Sequence, residues 1–269
     1  MIFNDVKLIA LDLDGTLLNN EKNISNNNKK SLEEAIDKGL LISYASGRSL
    51  KSMESVLKEF TPNGPLITYN GVKIYDQNRN IIYHQLFSKN DSINVIKYSL
   101  NKNLTMIIWS NDKMYCSKMN DNIVRYASIS GLIPNVLGFD FSNYNSVIDF
   151  GIDKILIYED HELLVKVKED LCFLGETTVE FSSPYYLEFY NKLASKGNGL
   201  IIVADYLNIS LDNVMAFGDQ ENDLSMLEIV KYPIIMGNSD DELKSRFKYV
   251  TKSNVDDGVA FIINKINKI

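Results

Sequence analysis

The chain has 269 residues, of which 45% are hydrophobic and 23% are charged, so it is long enough for one large domain or two smaller ones. Its net charge of -7 argues against nucleic acid as the main partner, and no apolar run approaches the roughly 20 residues that cross a membrane. The two cysteines and two histidines match no zinc-site or triad spacing, and no signal peptide is expected, so we predict a cytoplasmic protein that relies on carboxylates.

In chain order, the first 84 residues alternate between strand-like and helix-like segments. A continuous apolar run opens the series, and Ser25 is a candidate N-cap for the first helix, which Gly39 ends. The order predicts a parallel, doubly wound α/β sheet with right-handed crossovers, followed by a hairpin around the turn-rich residues 77–80. The predicted strands are 6–11, 40–45, 65–68, 72–75 and 81–84, and the predicted helices are 29–38 and 49–60.

Residues 85–190 follow a different pattern, in which helix-like and strand-like segments are mixed. We predict an inserted α+β domain there, with an antiparallel sheet. The α/β alternation returns in residues 191–269. The sequence therefore predicts one sheet domain made from 1–84 and 191–269, interrupted by a cap domain of 85–190. The predicted cap helices are 91–102 and 161–172, and the predicted cap strands are 105–109, 154–158, 178–181 and 185–189.

The first strand ends in LIALDLDGT, which places Asp12 and Asp14 one residue apart. A simple turn explains Asp14 before Gly15, but it does not require Asp12. A calcium-binding EF-hand loop is excluded, because the positions that require Asx and Gly hold Thr16 and Leu17. Ligands of open α/β sheets bind at the carboxyl ends of the strands, where two carboxylates attract Mg²⁺. One carboxylate there can also act as a nucleophile, while the other transfers protons.

Two further strand ends carry polar groups that suit a phosphorylated ligand. The second strand runs into Ser46 and Gly47, whose hydroxyl and backbone N–H groups can bind a phosphoryl oxygen. Arg48, which follows them, suits either a substrate contact or a structural ion pair. A strand predicted over 214–217 runs into the acidic sequence GDQEND. So many acids at neighbouring strand ends would repel one another without a cation, which argues for a metal.

The polar motifs occur in the order found in the haloacid dehalogenase superfamily, which the chain resembles. The four motifs are Asp12-Leu-Asp-Gly-Thr-Leu, Ser46-Gly-Arg, Lys196 within Ser-Lys-Gly, and Gly218-Asp-Gln-Glu-Asn-Asp. Further matches are Asn70-Gly71, Met236-Gly-Asn and Asp257-Gly-Val-Ala. Together with an insertion between the second and third motifs, they resemble the Cof-like phosphatases with a type IIB α/β cap. The cap itself matches only in size and pattern, and spacing alone does not distinguish Lys196 from a surface lysine.

The resemblance implies a role for each motif residue. Asp12 would be the nucleophile and a Mg²⁺ ligand, and Asp14 would be the general acid/base that ligates Mg²⁺ through its backbone carbonyl. Asp219 and Asp223 would complete the metal site. The implied phosphoryl-binding residues are Ser46, Gly47, Lys196 and Asn222, and the candidate substrate contacts are Arg48 and Asn70.

We therefore predict a Mg²⁺-dependent phosphatase that acts on a small phosphorylated metabolite, with a sugar phosphate favoured, as a monomer or homodimer. The acid at position 14 favours a hydrolase, because water must be activated to release an aspartyl-phosphate. The alternatives are a phosphomutase resembling phosphomannomutases and a phosphate-binding or regulatory protein with low turnover. Candidate cap segments for substrate recognition are 109–115 and 182–190, although the tyrosines of the second segment are more typical of a cap core.

Overall fold

The computed structural model describes residues 3–266, apart from the side chains of residues 129 and 130. The chain divides into two compact units. The first contains the chain up to Arg48, Met53–His84 and the residues from Ser195 onward, and the second contains Ser49–Ser52 and Gln85–Ala194. The later boundary thus lies at 194/195, compared with the predicted 190/191, because the last strand of the second unit continues to Asn191.

Strands and helices alternate along much of the chain. The strands are β1 Leu8–Leu11, β2 Leu41–Ala45, β3 Leu66–Thr68, β4 Lys73–Tyr75, β5 Ile81–His84, β6 Met106–Ser110, β7 Lys113–Cys116, β8 Asn135–Val136, β9 Lys154–Tyr158, β10 Thr177–Ser183, β11 Tyr186–Asn191, β12 Val214–Gly218, β13 Tyr232–Ile235 and β14 Tyr249–Val250. The α-helices are α1 Asn26–Asp37, α2 Glu54–Glu59, α3 Lys89–Asn101, α4 Asp121–Ser130, α5 Asn145–Phe150, α6 His161–Asp170, α7 Lys196–Tyr206, α8 Leu224–Leu227, α9 Asp241–Ser245 and α10 Gly258–Ile263. Short 3₁₀ helices are Lys51–Met53, Tyr69–Gly71, Phe141–Tyr144, Leu211–Asn213, Glu221–Asp223 and Asn254–Asp256. Within residues 3–266, no helix is both long enough and apolar enough to cross a membrane.

The first unit contains one eight-stranded sheet in the order β14-β13-β12-β1-β2-β3-β4-β5. The strands from β14 to β3 are parallel to their neighbours, whereas β4 and β5 pair in antiparallel fashion. The α/β class is confirmed. The sheet is mixed rather than parallel throughout, because the predicted hairpin adds its two strands at the β3 edge instead of crossing over through a helix.

Helices cover both faces of this sheet. Leu8 and Ala10 of β1 pack with Leu200 and Val203 of α7 on one face. Because successive strand side chains point to opposite faces, the fully buried Ile9 and Leu11 of β1 face the other layer. That layer includes α1 and α10, which contact each other. Side chains therefore fill both sides of β1, and its polar chemistry is confined to the strand end.

The second unit contains a six-stranded sheet in the order β10-β11-β9-β6-β7-β8, antiparallel except for the β7–β8 pair. One face packs with α3, α5 and α6 around residues such as Ile108 and Ile155. On the other face, Lys154 of β9 contacts Glu188 of β11, and Tyr126 of α4 packs edge-on against Trp109. The pattern of residues 85–190 thus predicted an α+β sheet, but it missed β7, β8, α4 and α5.

Candidate active site

The site begins at the carboxyl ends of three neighbouring strands. β12, β1 and β2 lie side by side in parallel, and Asp219, Asp12 and Ser46 follow their ends. The carboxyl ends of parallel strands meet at one edge of the sheet, so residues remote in the chain become neighbours there. Asp12 is buried, and its backbone N–H donates to the carbonyl oxygen of Phe217 at 3.1 Å. This bond ties the start of the Asp12 loop to β12.

The turn after Asp12 passes directly against Asp219. Gly15 has a φ of +85°, and a Cβ at this position would lie 2.2 Å from Oδ2 of Asp219. Glycine is therefore required twice, for its left-handed backbone and for the close approach. The Thr16 hydroxyl donates to Oδ1 of Asp219 at 3.1 Å. Asp219 is thus held by the loop that carries Asp12.

Asp223 organises the loop after β12 from a fully buried position. Its Oδ2 accepts hydrogen bonds from the backbone N–H groups of Asp219 at 2.8 Å and Gln220 at 3.1 Å. Its Oδ1 accepts a hydrogen bond from Nζ of Lys196 at 2.6 Å. Because these donors already engage both oxygens of Asp223, Asp219 is better placed to ligate a metal directly.

Lys196 lies between two of the carboxylates. It is the first residue of α7, whose N-cap Ser195 accepts a hydrogen bond from the backbone N–H of Asn198 at 3.0 Å. Nζ of Lys196 contacts Oδ1 of Asp12 and Oδ1 of Asp223, each at 2.6 Å, and only 1% of its side chain is exposed. Lys196 is therefore a buried partner of both acids and not a surface lysine.

Burial controls the ionisation of this cluster. Loss of solvation raises the pKa of Asp12 well above its ordinary value, and the charges of Asp223 and Asp219 act in the same direction against that of Lys196. Burial and the charge of Asp223 raise the pKa of Asp219 to about 6. Burial lowers the pKa of Lys196, but the charges of Asp12 and Asp223 outweigh it, so Lys196 keeps its proton.

The residues present fit a divalent cation. Asp12, Asp219 and Asp223 each offer a carboxylate oxygen, and these oxygens lie within 4.8 Å of one another. With all three carboxylates ionised, the ammonium of Lys196 leaves two uncompensated negative charges in a buried position. A hard divalent ion would cancel them, and its preferred ligands are oxygens of this kind.

Asp14 lies outside that cluster and forms ion pairs of its own. Oδ2 of Asp14 accepts from Nε of Arg48 at 2.7 Å, and its Oδ1 accepts from the terminal Nη2 of Arg48 at 2.8 Å. Nζ of Lys22 also contacts Oδ1 at 2.8 Å. Burial raises the pKa of Asp14, but the hydrogen bonds and charges of Arg48 and Lys22 outweigh it and lower the pKa to about 2. Of the two roles predicted for Arg48, this structure shows the ion pair.

The candidate phosphate-binding residues lie together beside β2 and β3. Ser46 and Gly47 begin the loop after β2, and the backbone N–H of Asn70 donates to the Ser46 carbonyl oxygen at 3.0 Å. Nδ2 of Asn222 donates to Oδ1 of Asn70 at 3.4 Å. Asn70 has a φ of 54°, a left-handed conformation that is uncommon for residues other than glycine. Backbone strain of this kind occurs most often at functional sites.

Comparison with known proteins identifies the family. The sequence profile of haloacid dehalogenase-like hydrolases matches residues 9–263. The chain belongs to this family. Two relatives from Bacillus subtilis are both named 5-amino-6-(5-phospho-D-ribitylamino)uracil phosphatase. YcsE is 32% identical, covering 95% of this chain and 94% of its own, and YwtE is 30% identical, covering 97% and 98%. A solved haloacid dehalogenase-like hydrolase from Bacteroides thetaiotaomicron is 26% identical, with a TM-score of 0.87 over 97% of this chain and 99% of its own.

Family membership confirms the resemblance and bears on the acidic cluster, because haloacid dehalogenase-like hydrolases use a divalent metal, usually Mg²⁺. The structure brings Asp12, Asp219 and Asp223 of the first and last motifs together around Lys196, and Asp14 lies outside this cluster. Two contributors were missed from the sequence. Thr16 binds Asp219, and Lys22 binds Asp14 from a polar loop that carries no recognisable signal.

Proposed function

We propose that the protein is a Mg²⁺-dependent phosphatase that hydrolyses a small phosphorylated metabolite through an aspartyl-phosphate on Asp12. The observation that carries the proposal is the pairing of a buried Asp12 with Lys196, beside two further buried carboxylates at the same sheet edge. Phosphoryl transfer needs positioning and charge neutralisation more than elaborate covalent chemistry. This site offers both, with a carboxylate as the nucleophile.

In the first step, a carboxylate oxygen of Asp12 attacks phosphorus and the bond from phosphorus to the leaving oxygen breaks. The leaving oxygen takes up a proton. In the second step, water attacks the phosphorus, loses a proton and displaces Asp12, which releases inorganic phosphate. Lys196 donates to Oδ1 of Asp12 at 2.6 Å and so orients the carboxylate, which leaves the other oxygen to attack.

Asp14 is assigned the proton transfers. Its pKa of about 2 keeps Asp14 ionised, as acceptance of a proton from the attacking water requires, and makes it a weak base as long as Arg48 and Lys22 bind it. Donation in the first step requires a protonated Asp14, which the ion pairs with Arg48 and Lys22 oppose, so both contacts must weaken before Asp14 can act as an acid. Arg48 is proposed as a substrate contact as well as the partner of Asp14.

Mg²⁺ would be held by Asp12, Asp219 and the backbone carbonyl of Asp14, with Asp223 positioning the loop of Asp219. When bound, it would neutralise the negative charge of the carboxylates and of the transferring phosphoryl group. Phosphoryl oxygens would be bound by the ammonium of Lys196 and by the polar groups beside β2 and β3. Those groups belong to Ser46, Gly47, Asn70 and Asn222.

We propose that the substrate is a sugar phosphate or a sugar-alcohol phosphate, because both Bacillus subtilis relatives are named for a substrate with a phosphorylated ribityl chain. The inserted unit would select among such substrates, which is the role that the resemblance to the capped phosphatases implies for it. Within the segments proposed for recognition, Tyr185 is 52% exposed, whereas Tyr190 is buried and Tyr186 packs edge-on against Tyr158.

The test is phosphate release from a panel of sugar phosphates, the ribitylaminouracil phosphate, nucleotides and pyridoxal phosphate. Wild type, Asp12→Asn and the matched control Asp5→Asn are compared with Mg²⁺ and with chelator. Asp5 forms exposed contacts with Lys231 at the other end of the first unit's sheet strands, so its variant should turn over normally. Asp12→Asn should lose turnover while keeping its fold.

Release that requires both Mg²⁺ and Asp12 would support the proposal, and the ranking of the panel would give the cap's preference. Full turnover by Asp12→Asn would refute the assignment of the nucleophile. Absence of release from every member by folded, Mg²⁺-loaded wild type would favour a phosphomutase, or a phosphate-binding protein with low turnover.

A further inference from the structure

Two asparagines from the C-terminal part of the chain bind the loop that follows Asp12. Nδ2 of Asn238 donates to the carbonyl oxygen of Gly15 at 2.9 Å, and Oδ1 of Asn238 accepts from the backbone N–H of Asn254 at 3.0 Å. Nδ2 of Asn254 then donates to the carbonyl oxygen of Leu18 at 2.8 Å in a buried position. The two amides thus form one chain of hydrogen bonds, which we name the asparagine clamp.

The clamp rests on a rigid support. Asn238 follows β13 in the Met236-Gly-Asn motif, and the backbone N–H of Gly237 donates to the carbonyl oxygen of Lys252 at 3.0 Å. A Cβ on Gly237 would lie 2.8 Å from the carbonyl oxygen of Thr251, so only glycine allows this approach. Asn254 is the first residue of the 3₁₀ helix Asn254–Asp256, and it is 7% exposed.

The loop combines one backbone hydrogen bond of ordinary length, from the Leu18 N–H to the Leu13 carbonyl oxygen at 2.9 Å, with two long ones. The backbone N–H of Thr16 donates to the Leu13 carbonyl oxygen, and that of Leu17 donates to the Asp12 carbonyl oxygen, both at the long distance of 3.3 Å. A glycine in the loop adds backbone freedom. The Gly15 carbonyl that the clamp binds lies directly between Asp14 and Thr16 in the chain. Fixing that peptide restricts both neighbours.

We propose that Asn238 and Asn254 are positioning residues, which hold the Asp12–Leu18 loop so that Asp12, Asp14 and Thr16 keep their places in the site. The proposal rests on the function proposed above, because it takes Asp12 and Asp14 as the reacting groups. It gives a role to the Met236-Gly-Asn motif, which touches neither of those carboxylates. A displacement of about 1 Å in such groups lowers turnover up to about 100-fold.

The variants are Asn238→Ala and Asn254→Ala, and the matched control is Asn63→Ala. Asn63 also bridges two backbone groups of the first unit, since its Nδ2 donates to the Leu40 carbonyl oxygen at 3.1 Å and its Oδ1 accepts from the Ile42 backbone N–H at 2.8 Å. It does not touch the loop. General loss of stability from a missing amide bridge should therefore be shared by all three variants.

The first measurement is hydrogen–deuterium exchange of the segment 13–19 in the full chain, with chelator and with Mg²⁺. Both clamp variants should exchange this segment faster than wild type, while Asn63→Ala should not. The second measurement is steady-state kinetics. Each clamp variant should lose about 10- to 100-fold in kcat with a smaller change in KM, and Asn63→Ala should keep both.

Asn238→Asp separates the two bonds of Asn238. It keeps an acceptor for the Asn254 backbone N–H but replaces the donor to the Gly15 carbonyl with a carboxylate oxygen. It should therefore lose at least as much kcat as Asn238→Ala. Unchanged loop exchange in both clamp variants, or wild-type kcat in Asn238→Asp, would overturn the proposal. If wild type releases no phosphate, the proposed function fails, and loop exchange alone then decides whether the clamp holds the loop.

Discussion

Lys196→Met tests whether the site depends on a buried network of charges. Methionine is similar in length but carries no charge, and the side chains of Lys196, Asp12 and Asp223 are at most 6% exposed. Removing one partner of a buried ion pair costs about 3–5 kcal/mol, because the remaining charge is uncompensated. Asp12 can take up a proton, since its pKa is raised, so we expect the lower end, about 3 kcal/mol. For a protein of this size that is a fall in Tm of about 6–12 °C.

The assay is thermal and urea unfolding in excess chelator, followed by circular dichroism. Lys231→Met is the control, because its ion pair with Asp5 is exposed on both sides and should contribute less than about 1 kcal/mol. In the double variant Lys196→Met/Asp12→Asn, loss of the uncompensated carboxylate should return about 1 kcal/mol or more of the free energy of unfolding. The reasoning is refuted if Lys196→Met unfolds no earlier than the control, or if the second change adds to the loss.

Three further predictions follow from glycine geometry, pKa and the second unit. Gly15→Ala and Gly39→Ala should each lower the free energy of unfolding by about 1–2 kcal/mol, because alanine is disfavoured in a left-handed conformation. Only Gly15→Ala should also lose phosphate release, because its Cβ would meet Asp219, whereas nothing lies within 4 Å of a Cβ at Gly39. In chelator, the free energy of unfolding of wild type should fall relative to that of Asp219→Asn as pH rises from about 4 to about 7. The reason is that folded Asp219 holds its proton up to a pKa of about 6 and carries a buried charge above it. Parallel pH profiles of the two proteins in urea unfolding would contradict this. Lys154→Met breaks the buried Lys154–Glu188 pair at 2.7 Å and should lower the free energy of unfolding, measured in urea, by about 3 kcal/mol. Adding Glu188→Leu should restore part of that free energy.

The first unit and the place of the site could be predicted because polar motifs come directly after buried apolar runs. β1 is four buried residues long, and Asp12 follows it directly, so the end of the apolar run predicts both the end of the strand and the position of the acid. The sequence also predicts Ser25 as an N-cap, and its hydroxyl accepts from the backbone N–H of Asn28 at 3.1 Å. Local signals of this kind need no knowledge of the rest of the chain. The catalytic roles of the motif residues stay predictions until turnover is measured.

The second unit was predicted less completely because its missed elements are short or depend on packing. Residues 109–115, which the sequence predicts as a recognition segment, belong to the β6–β7 hairpin, which turns at Asn111 and Asp112 with φ values of 51° and 56°. Left-handed residues in such a turn are typical of Asn and Asp. α5 has six residues, fewer than two turns, so the sequence shows little helical periodicity there.

The roles of Lys22 and of the asparagine clamp could not be predicted from the sequence, because they depend on contacts between remote segments. Asn254 and Leu18 are 236 positions apart. Asparagine in a loop usually satisfies a local turn, and lysine in a polar loop is usually solvated. Only the folded chain shows that Asn254 binds the Leu18 carbonyl oxygen of the Asp12–Leu18 loop and that Lys22 binds Asp14.

The charge of the site couples its two proposed ligands. When Asp12, Asp219 and Asp223 are all ionised, they carry two negative charges more than Lys196 balances, and a phosphoryl group brings more. In the metal-free site, burial and mutual repulsion raise the pKa values of Asp12 and Asp219, and a bound phosphoryl group would add to that repulsion. Neutralisation by a divalent ion removes that repulsion, and by linkage a bound phosphoryl group tightens the binding of the ion equally. The excess charge thus favours joint binding of the two ligands, which the proposed in-line transfer to Asp12 requires.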